Sequence, residues 1–504
     1  MNQRKVGVVL NYISKIVQIL TGLLYTPIML KCLGQSEYGT YQLVYSVISY
    51  LSILSLGMTG AYNRFYYRYK VKKDEESVAK LNGLFLVVFL FISFVSIICG
   101  IFIHSNIEVI LGDKLLKEEM QLAKHLMVYM IFNMALTFPA SVFDCYVSAN
   151  EAFVFQKVLI IIQGIAGPFV TLPLLFSGYG SVGAVFVTTL LTVIKFIVNV
   201  AYSTKTLQMK FKLGKIDWKL LKEILYFSSF IVISQIVEII NWNIDNFLLG
   251  RIVGATSVAV YGVASQINNL YMQLSTAVSS IFSPQVNQIV AKNKDNRELN
   301  ELFIKVGRIQ FIILLFILLE FALIGRSFII LWVGEEYIES FMITLVLIIP
   351  ITVPLIQNIG IEIQYAKNMH KVRAFVYLAV AILNVFISIG FIEKMGALGA
   401  AVGTAVALLA GNILFMNYYY QKKIGLDIIG FWRSILQFIP TALMTCFIGI
   451  VINRKNAIFS WLDLMVNAIL IGVVYIVSVY AFSLNRYEKD LIKGVKKLFV
   501  GKNG

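Results

Sequence analysis

Four residues inside one long apolar run, Gln235, Glu238, Trp242 and Asp245, recur at spacings of three, four and three. That spacing puts them on one face of an α-helix, with Asn241 beside them. A carboxylate at bilayer depth is expensive unless it is hydrated, paired or holding a cation. Glu238 and Asp245 are therefore the expected coupling-ion groups, for a proton or sodium. A second, uncharged stripe follows at Gln266, Asn269, Gln273, Thr276 and Ser280. Amides and hydroxyls of this kind, with those of Gln235 and Asn241, suit a hydroxyl-rich ligand. Cationic chemistry is expected nearer the N-terminus. Lys15 shares a helical face with Asn11, Gln18 and Gly22, at spacings of four, three and four, and Arg64 with Asn63 closes the next apolar run. An ammonium and a guanidinium suit a phosphate-bearing anion. Each stripe also has a purely structural reading. The carboxylate stripe fits interhelical hydrogen bonding, Lys15 can snorkel to the interface, and Arg64 also reads as a plain positive anchor.

The elements that must position these groups follow from composition. The chain has 504 residues, 59% hydrophobic and only 14% charged, where soluble domains average about a quarter charged. Too few charges remain to cover water-soluble surfaces, and disordered chains are poor in aromatic and β-branched residues. A spanning helix needs about 20 mainly apolar residues. By that criterion fourteen spans are expected, near 7–30, 40–62, 83–103, 124–147, 158–178, 181–203, 224–249, 257–283, 304–325, 341–362, 373–391, 397–420, 434–452 and 462–483. The runs are continuous rather than alternating, so the expected fold is an all-α polytopic membrane protein and not a barrel. The first run is too long for a signal-peptide core and reads as a retained helix. With the N-terminus inside, 32 of the 43 Lys and Arg adjoin the inner ends and nine the outer ends. The positive-inside rule then places both termini in the cytoplasm. The net charge of +16 is accounted for by basic stretches at 205–212 and 493–497 lying against anionic headgroups. Nucleic-acid binding is the competing reading of such runs, but no soluble module is present to carry it.

An internal repeat organises the spans. Lys31, Gly34 and Tyr41 match Arg251, Gly254 and Tyr261, each 220 positions on. Val109-Ile110-Leu111-Gly112-Asp113 resembles Leu331-Trp332-Val333-Gly334-Glu335, and Gly180-Ser181-Val182-Gly183-Ala184 resembles Gly396-Ala397-Leu398-Gly399-Ala400. Three matches in one order predict two six-helix pseudo-repeat lobes around a central cavity, plus a C-terminal helix pair. The expected boundaries are a first lobe over 1–203, a basic cytoplasmic linker over 204–222, a second lobe over 223–420, the pair over 421–483 and a basic tail over 484–504. Parallel repeats of this kind are one architecture of alternating-access transporters.

Leu33-Gly34-Gln35-Ser36-Glu37-Tyr38-Gly39-Thr40-Tyr41 resembles a segment of polysaccharide-biosynthesis membrane proteins. Val260-Tyr261 with Pro284, Leu331-Trp332-Val333-Gly334 and the glycines at 396, 399 and 403 are similar to the same family. These are the lipid-linked oligosaccharide flippases (O-antigen or capsule repeat-unit translocases) of the multidrug/oligosaccharidyl-lipid/polysaccharide exporter superfamily. The resemblance implies translocation of an undecaprenyl-diphosphate-linked glycan across the bacterial cytoplasmic membrane, alongside glycosyltransferases and a polymerase of the same pathway. It also implies that cavity cations, here Lys15 and Arg64, meet the anionic prenyl diphosphate carrier. Lipid II flippases and multidrug or cation antiporters are the related alternatives. The first line the cavity with further basic residues on span eight, where this chain has none, and the second usually stop at twelve helices.

Other chemistry is not expected. The four cysteines lie far apart with no CxxC pair, and the three histidines stand alone, which supports neither a metal site nor a disulfide framework. Gly178-Tyr179-Gly180-Ser181-Val182-Gly183 satisfies GxGxxG but lies between two apolar runs, without the preceding strand that a dinucleotide site needs. No Walker A sequence is present, so no nucleotide cofactor is expected. A membrane glycan polymerase or ligase needs a sizeable outer loop with catalytic groups, and the longest here covers only about 104–123. The chain is read as a carrier and not an enzyme. Asp144 and Glu362 fall near the inner ends of equivalent spans, where capping and gate lining fit equally, while Glu320 and Lys195 lie within reach of an interface.

Overall fold

The computed structural model describes residues 3–55, 57–214, 217–292, 296–367 and 369–490. Residues 493–497 of the expected basic tail lie outside the described residues. The described chain is helical, in the order α1 Gln3–Ser49, α2 Met58–Val71, α3 Glu75–Ser105, α4 Ile107–Leu111, α5 Lys117–Ala149, α6 Phe153–Phe176, α7 Gly180–Ala201, α8 Trp218–Ile252 and α9 Ala255–Ala291. There follow α10 Asn296–Val333, α11 Ser340–Ile356, α12 Asn358–Ala366, α13 His370–Leu408, α14 Met416–Tyr419, α15 Ile428–Leu436, α16 Ile439–Lys455 and α17 Trp461–Ser478. Among the described residues, nine helical stretches are long and apolar enough to cross a bilayer, and α11 with α12, bent by 42°, forms a tenth, broken one. Helices are the expected solution because hydrocarbon offers no partner to an open backbone. The two polar-striped helices, α8 and α9, are also long enough at 35 and 37 residues. The chain is a multi-pass membrane protein.

Besides 341–362, which α11 and α12 share, other expected spans are not single helices. The run 40–62 is shared between the end of α1, a 3-10 segment Tyr50–Ser55, and α2. Gly57, with φ of 61°, starts α2, and its missing side chain makes room for Ile231. Apolar content alone does not report such a break.

The matched glycines share a backbone state. Nine glycines among the described residues have positive φ, and six of them are the repeat pairs: Gly34 and Gly254, Gly112 and Gly334, Gly180 and Gly396. The last two both have φ of 57°. A left-handed turn admits glycine without strain, which explains why these residues stand out in both halves.

By contact the chain divides into two compact units. The first comprises residues 1–262 and 385–400. Its core is aromatic, with Tyr62, Phe65, Phe85, Phe89 and Phe143 packed among α2, α3 and α5. The segment Leu33 to Tyr41 acts here as a tie. Glu37 accepts from the Ser181 amide at 2.5 Å and hydroxyl at 2.7 Å, capping α7, and Ser36 donates to Glu119 at 2.6 Å. A carboxylate at a helix N-terminus also meets the positive end of the helix dipole. A methyl added at Gly39 would strike the carbonyl oxygen of Ala255. Gly39→Ala is therefore expected to lower stability by about 1–3 kcal/mol, read as a lower thermal midpoint in detergent; an unchanged midpoint would refute the close approach. Asp74 caps α3 by accepting from the Ser77 hydroxyl and amide, bonds that hold its carboxyl below the usual carboxylate range. Part of the linker 204–222 lies along α3. Lys212 meets Glu76 at 2.8 Å and Lys210 meets Glu75 at 3.6 Å, so these two lysines have carboxylate partners besides any headgroup.

The second unit comprises residues 263–384 and 401–504. Within it, Arg308 of α10 is buried with every guanidinium nitrogen engaged. Its Nε and Nη2 donate to Glu488 at 2.6 and 2.8 Å, Nη1 to the Ser434 carbonyl and the Gln437 side chain, and Nη2 also to the Ser483 carbonyl. This fastens α10 to α15 and to the chain beyond α17. Gln310 donates to Ser275, and Tyr475 of α17 donates to the Ile312 carbonyl at 2.6 Å.

Candidate functional site

The expected cation Lys15 has a neighbour that sequence reading assigned to a loop. Helices α1 and α6 pack side by side and run parallel. Gly7 meets Phe153, Val17 meets Gly164, and the Thr21 hydroxyl donates to the Gly164 carbonyl at 3.4 Å. Because α6 begins at Phe153, Lys157 is a helical residue. The register of these contacts places Lys157 within about one helical turn of Lys15 along the paired helices. Two like charges on apolar helices repel, and an anion bridging them removes that repulsion while gaining two charge-assisted hydrogen bonds. Lys15 itself is partly buried, and Gln18 is exposed. The signal for Lys157 in the sequence is weak: Gln156 and Gln163, seven apart, mark a polar face that begins before the apolar run does.

Arg64 is placed by an antiparallel contact of α2 with α8. Gly57 and Gly60 lie against Ile231, the Arg64 guanidinium rests over the Phe227 ring at 4.4 Å, and Arg68 pairs with Glu223 at 3.0 Å. Phe227 holds the guanidinium by its face and leaves its edge donors exposed.

The stripe on α8 divides by environment. Glu238 is exposed and Trp242 partly so, whereas Asp245 is buried. Asp245 accepts from Tyr261 at 2.6 Å and from Ser388 at 3.4 Å. The two carboxylates expected to act together therefore have different surroundings, one open and one in a hydroxyl cage. Asn241 is partly buried. Gln235 is partly buried as well, and its Oε1, like Ser228 Oγ, Asn246 Oδ1, Asn63 Oδ1 on α2 and Tyr50 Oη, is a buried polar atom without a partner among the described residues. Buried polar atoms are nearly always paired, so this part of the first unit offers hydrogen bonds to a polar ligand. On α9, Gln266 is partly buried and Asn269 exposed, while Thr276 and Ser280 hydroxyls turn back to their own helix.

Further pairs were not foreseen from sequence. Asp144 on α5 accepts from Asn199 at 2.6 Å and lies 3.6 Å from the Lys195 ammonium. Lys195 and Asn199 are one turn apart on α7, so a charge that looked free to reach an interface is neutralised within the bundle. Glu362 accepts from Ser283 at 2.6 Å.

The chain has relatives among known proteins. It is 22% identical to a Shigella flexneri protein named as an O-antigen transporter over 393 residues, covering 77% of this chain and 90% of that protein. It is 24% identical over 231 residues to the teichuronic acid biosynthesis protein TuaB of Bacillus subtilis, 45% of this chain and 47% of that one. Among solved structures, the lipid II flippase MurJ in an inward closed conformation matches with a TM-score of 0.74 at 15% identity, over 97% of this chain and 99% of that one. An inward-facing multidrug resistance transporter matches with a TM-score of 0.65 at 14% identity, over 83% and 99%. The chain therefore shares the fold of these solved transporters. With residues 5–286 matching its description, more than half the chain, this protein belongs to the polysaccharide biosynthesis protein family.

Proposed function

We propose that this chain flips lipid-linked oligosaccharide repeat units, carried on an anionic prenyl diphosphate, across the bacterial cytoplasmic membrane for cell-surface polysaccharide synthesis. Membership of the polysaccharide biosynthesis family supports the substrate class, and the shared transporter fold supports alternating access. The observation that carries the headgroup assignment is that α1 and α6, two apolar helices paired in parallel, carry Lys15 and Lys157 within about one turn of each other in register. A diphosphate crossing hydrocarbon needs a cation at depth, and two ammonium groups match its charge. The exposed Arg64 guanidinium receives the same group at the cytoplasmic entrance. Gln18, Gln235, Asn241, Gln266 and Asn269 bind the glycan hydroxyls. In this reading fourteen spans form two six-helix lobes and a terminal pair, both termini are cytoplasmic, and glycosyltransferases and a polymerase of the pathway supply and consume the substrate.

With the interior negative, exporting two negative charges gains about 4.6 kcal/mol at 100 mV, so the potential alone provides a drive. Glu238 and Asp245 add cation coupling, Asp245 from its hydroxyl cage and Glu238 from an open position. The carrier performs no covalent chemistry. The test is purified protein in proteoliposomes given lipid-linked glycan on one face, with appearance on the other read by an impermeant probe. Transfer across the bilayer without change of product is expected, and polymerised or transferred glycan would overturn the carrier reading. In the same assay Glu238→Gln is expected to reduce ion-stimulated transfer about tenfold, equivalent to ~1.4 kcal/mol. Unchanged ion dependence would remove Glu238 from the coupling role.

A further inference from the structure

Glu320 lies on α10, where the second unit packs α10 against α16 and α17. Three register points fix the arrangement. Gly449 of α16 meets Leu323, Asn453 of α16 donates to the Leu323 carbonyl at 2.9 Å, and a methyl built at Gly472 of α17 would lie 3.6 Å from Glu320 Oε1. Above and below are apolar clusters, Ile324 with Leu464 and Ile471 on one side, and Leu315 and Leu319 with Phe438 and Tyr475 on the other. Both carboxyl oxygens of Glu320 are buried, and neither has a hydrogen-bond partner among the described residues. The same holds for the hydroxyl of Thr445, one turn before Gly449 on α16.

A bare carboxylate in such surroundings is very unfavourable, because no dipole or counter-charge replaces its hydration. The neighbouring elements offer none. From α16 the titratable groups are Cys446 at this level and Arg454 and Lys455 at the helix end. From α17 they are Tyr475, whose hydroxyl is committed to Ile312, and Asp463 in the first turn. Helix α11 carries no charged residue. On α10 itself, Arg326 is exposed and six residues away, and Arg308 is consumed by Glu488. Among the described residues no group of three or more acidic, His or Cys side chains gathers to hold a metal ion. The ligand that one carboxyl can take alone is a proton.

We propose that Glu320 is a proton-binding site of this membrane protein, holding a proton while α10, α16 and α17 are packed together and releasing it to water when they part. Gly449, Gly472 and the short Thr445 side chain let the three helices close over the neutral acid. The site rests on the geometry of the second unit alone, so it stands or falls separately from the flippase reading.

The test is an infrared spectrum of the full-length protein at neutral pH, recorded in H2O and D2O. A protonated-carboxyl band assigned to Glu320 is expected, absent from Glu320→Gln and retained in Glu238→Gln. An identical band in wild type and Glu320→Gln overturns the proposal. Should Glu320→Gln fail to fold, carbodiimide mapping of the wild type decides the matter. The apolar reagent dicyclohexylcarbodiimide adds the carboxyl oxygen at its central carbon and takes the acid proton on one nitrogen, and the O-acylisourea so formed shifts its acyl group from oxygen to nitrogen, leaving a stable N-acylurea found by peptide mass spectrometry. Modification of Glu320 that declines as pH rises supports the site. No modification, or equal modification by a water-soluble carbodiimide, overturns it.

Discussion

Lys15→Ala combined with Lys157→Ala is expected to abolish display of the surface glycan and to cut transfer in proteoliposomes by 100-fold or more. Each ammonium supplies a charge-assisted hydrogen bond, worth about 1.5–3 kcal/mol to a charged partner, or roughly 10- to 150-fold. Single substitutions are expected to lose about one such step each. Arg64→Ala, at an exposed position resting on Phe227, is expected to lose less, because solvent screens an exposed charge. Removing an intramembrane lysine eases insertion, so protein level in the membrane is the control that separates transport from folding. Arginine at either position keeps the charge and is expected to restore part of the activity. Normal transfer in the double variant would eliminate the diphosphate assignment while leaving the family membership untouched.

The second large effect concerns stability. Arg308→Met is expected to destabilise the protein by about 3–5 kcal/mol, because it leaves Glu488 as a buried charge without its partner. Glu488→Met strands the guanidinium in the same way, although Ser434, Gln437 and Ser483 still accept from it. Replacing both residues by methionine is expected to recover much of the loss, since an apolar pair of similar volume removes the desolvation penalty along with the attraction. Thermal unfolding in detergent, analysed as a double-mutant cycle, checks the order: each single variant below the double. A double variant as unstable as the sum of the singles would show that the two residues act independently.

The clamp also shows what a linear reading misses. Arg308 and Glu488 are 180 positions apart, and nothing in the local pattern of either announces the other. In the sequence Arg308 reads simply as one more inner-side cation. Lys157 escapes a span criterion for a different reason: its helix starts before the apolar run does, so a span drawn from 158 begins five residues after the helix at Phe153. Asp245 was identified as a deep carboxylate, but its hydroxyl partners come from α9 and α13. The Glu37 contact to Ser181 turned a segment used for family resemblance into a helix cap.

What the sequence determined by itself is the class of solution. Apolar runs of about 20 residues must close their own backbone hydrogen bonds, so helices follow from composition, and most of the left-handed backbone positions among the described residues, nine of twelve, are glycines. The repeated glycines at 34, 112 and 180 and at 254, 334 and 396 were legible for that reason. Tertiary structure alone decided which charges are neutralised, which stay open and which lie side by side. Those outcomes depend on contacts across 55 to 180 residues, and a carboxylate or an ammonium has the same letter whether it is paired, caged or bare.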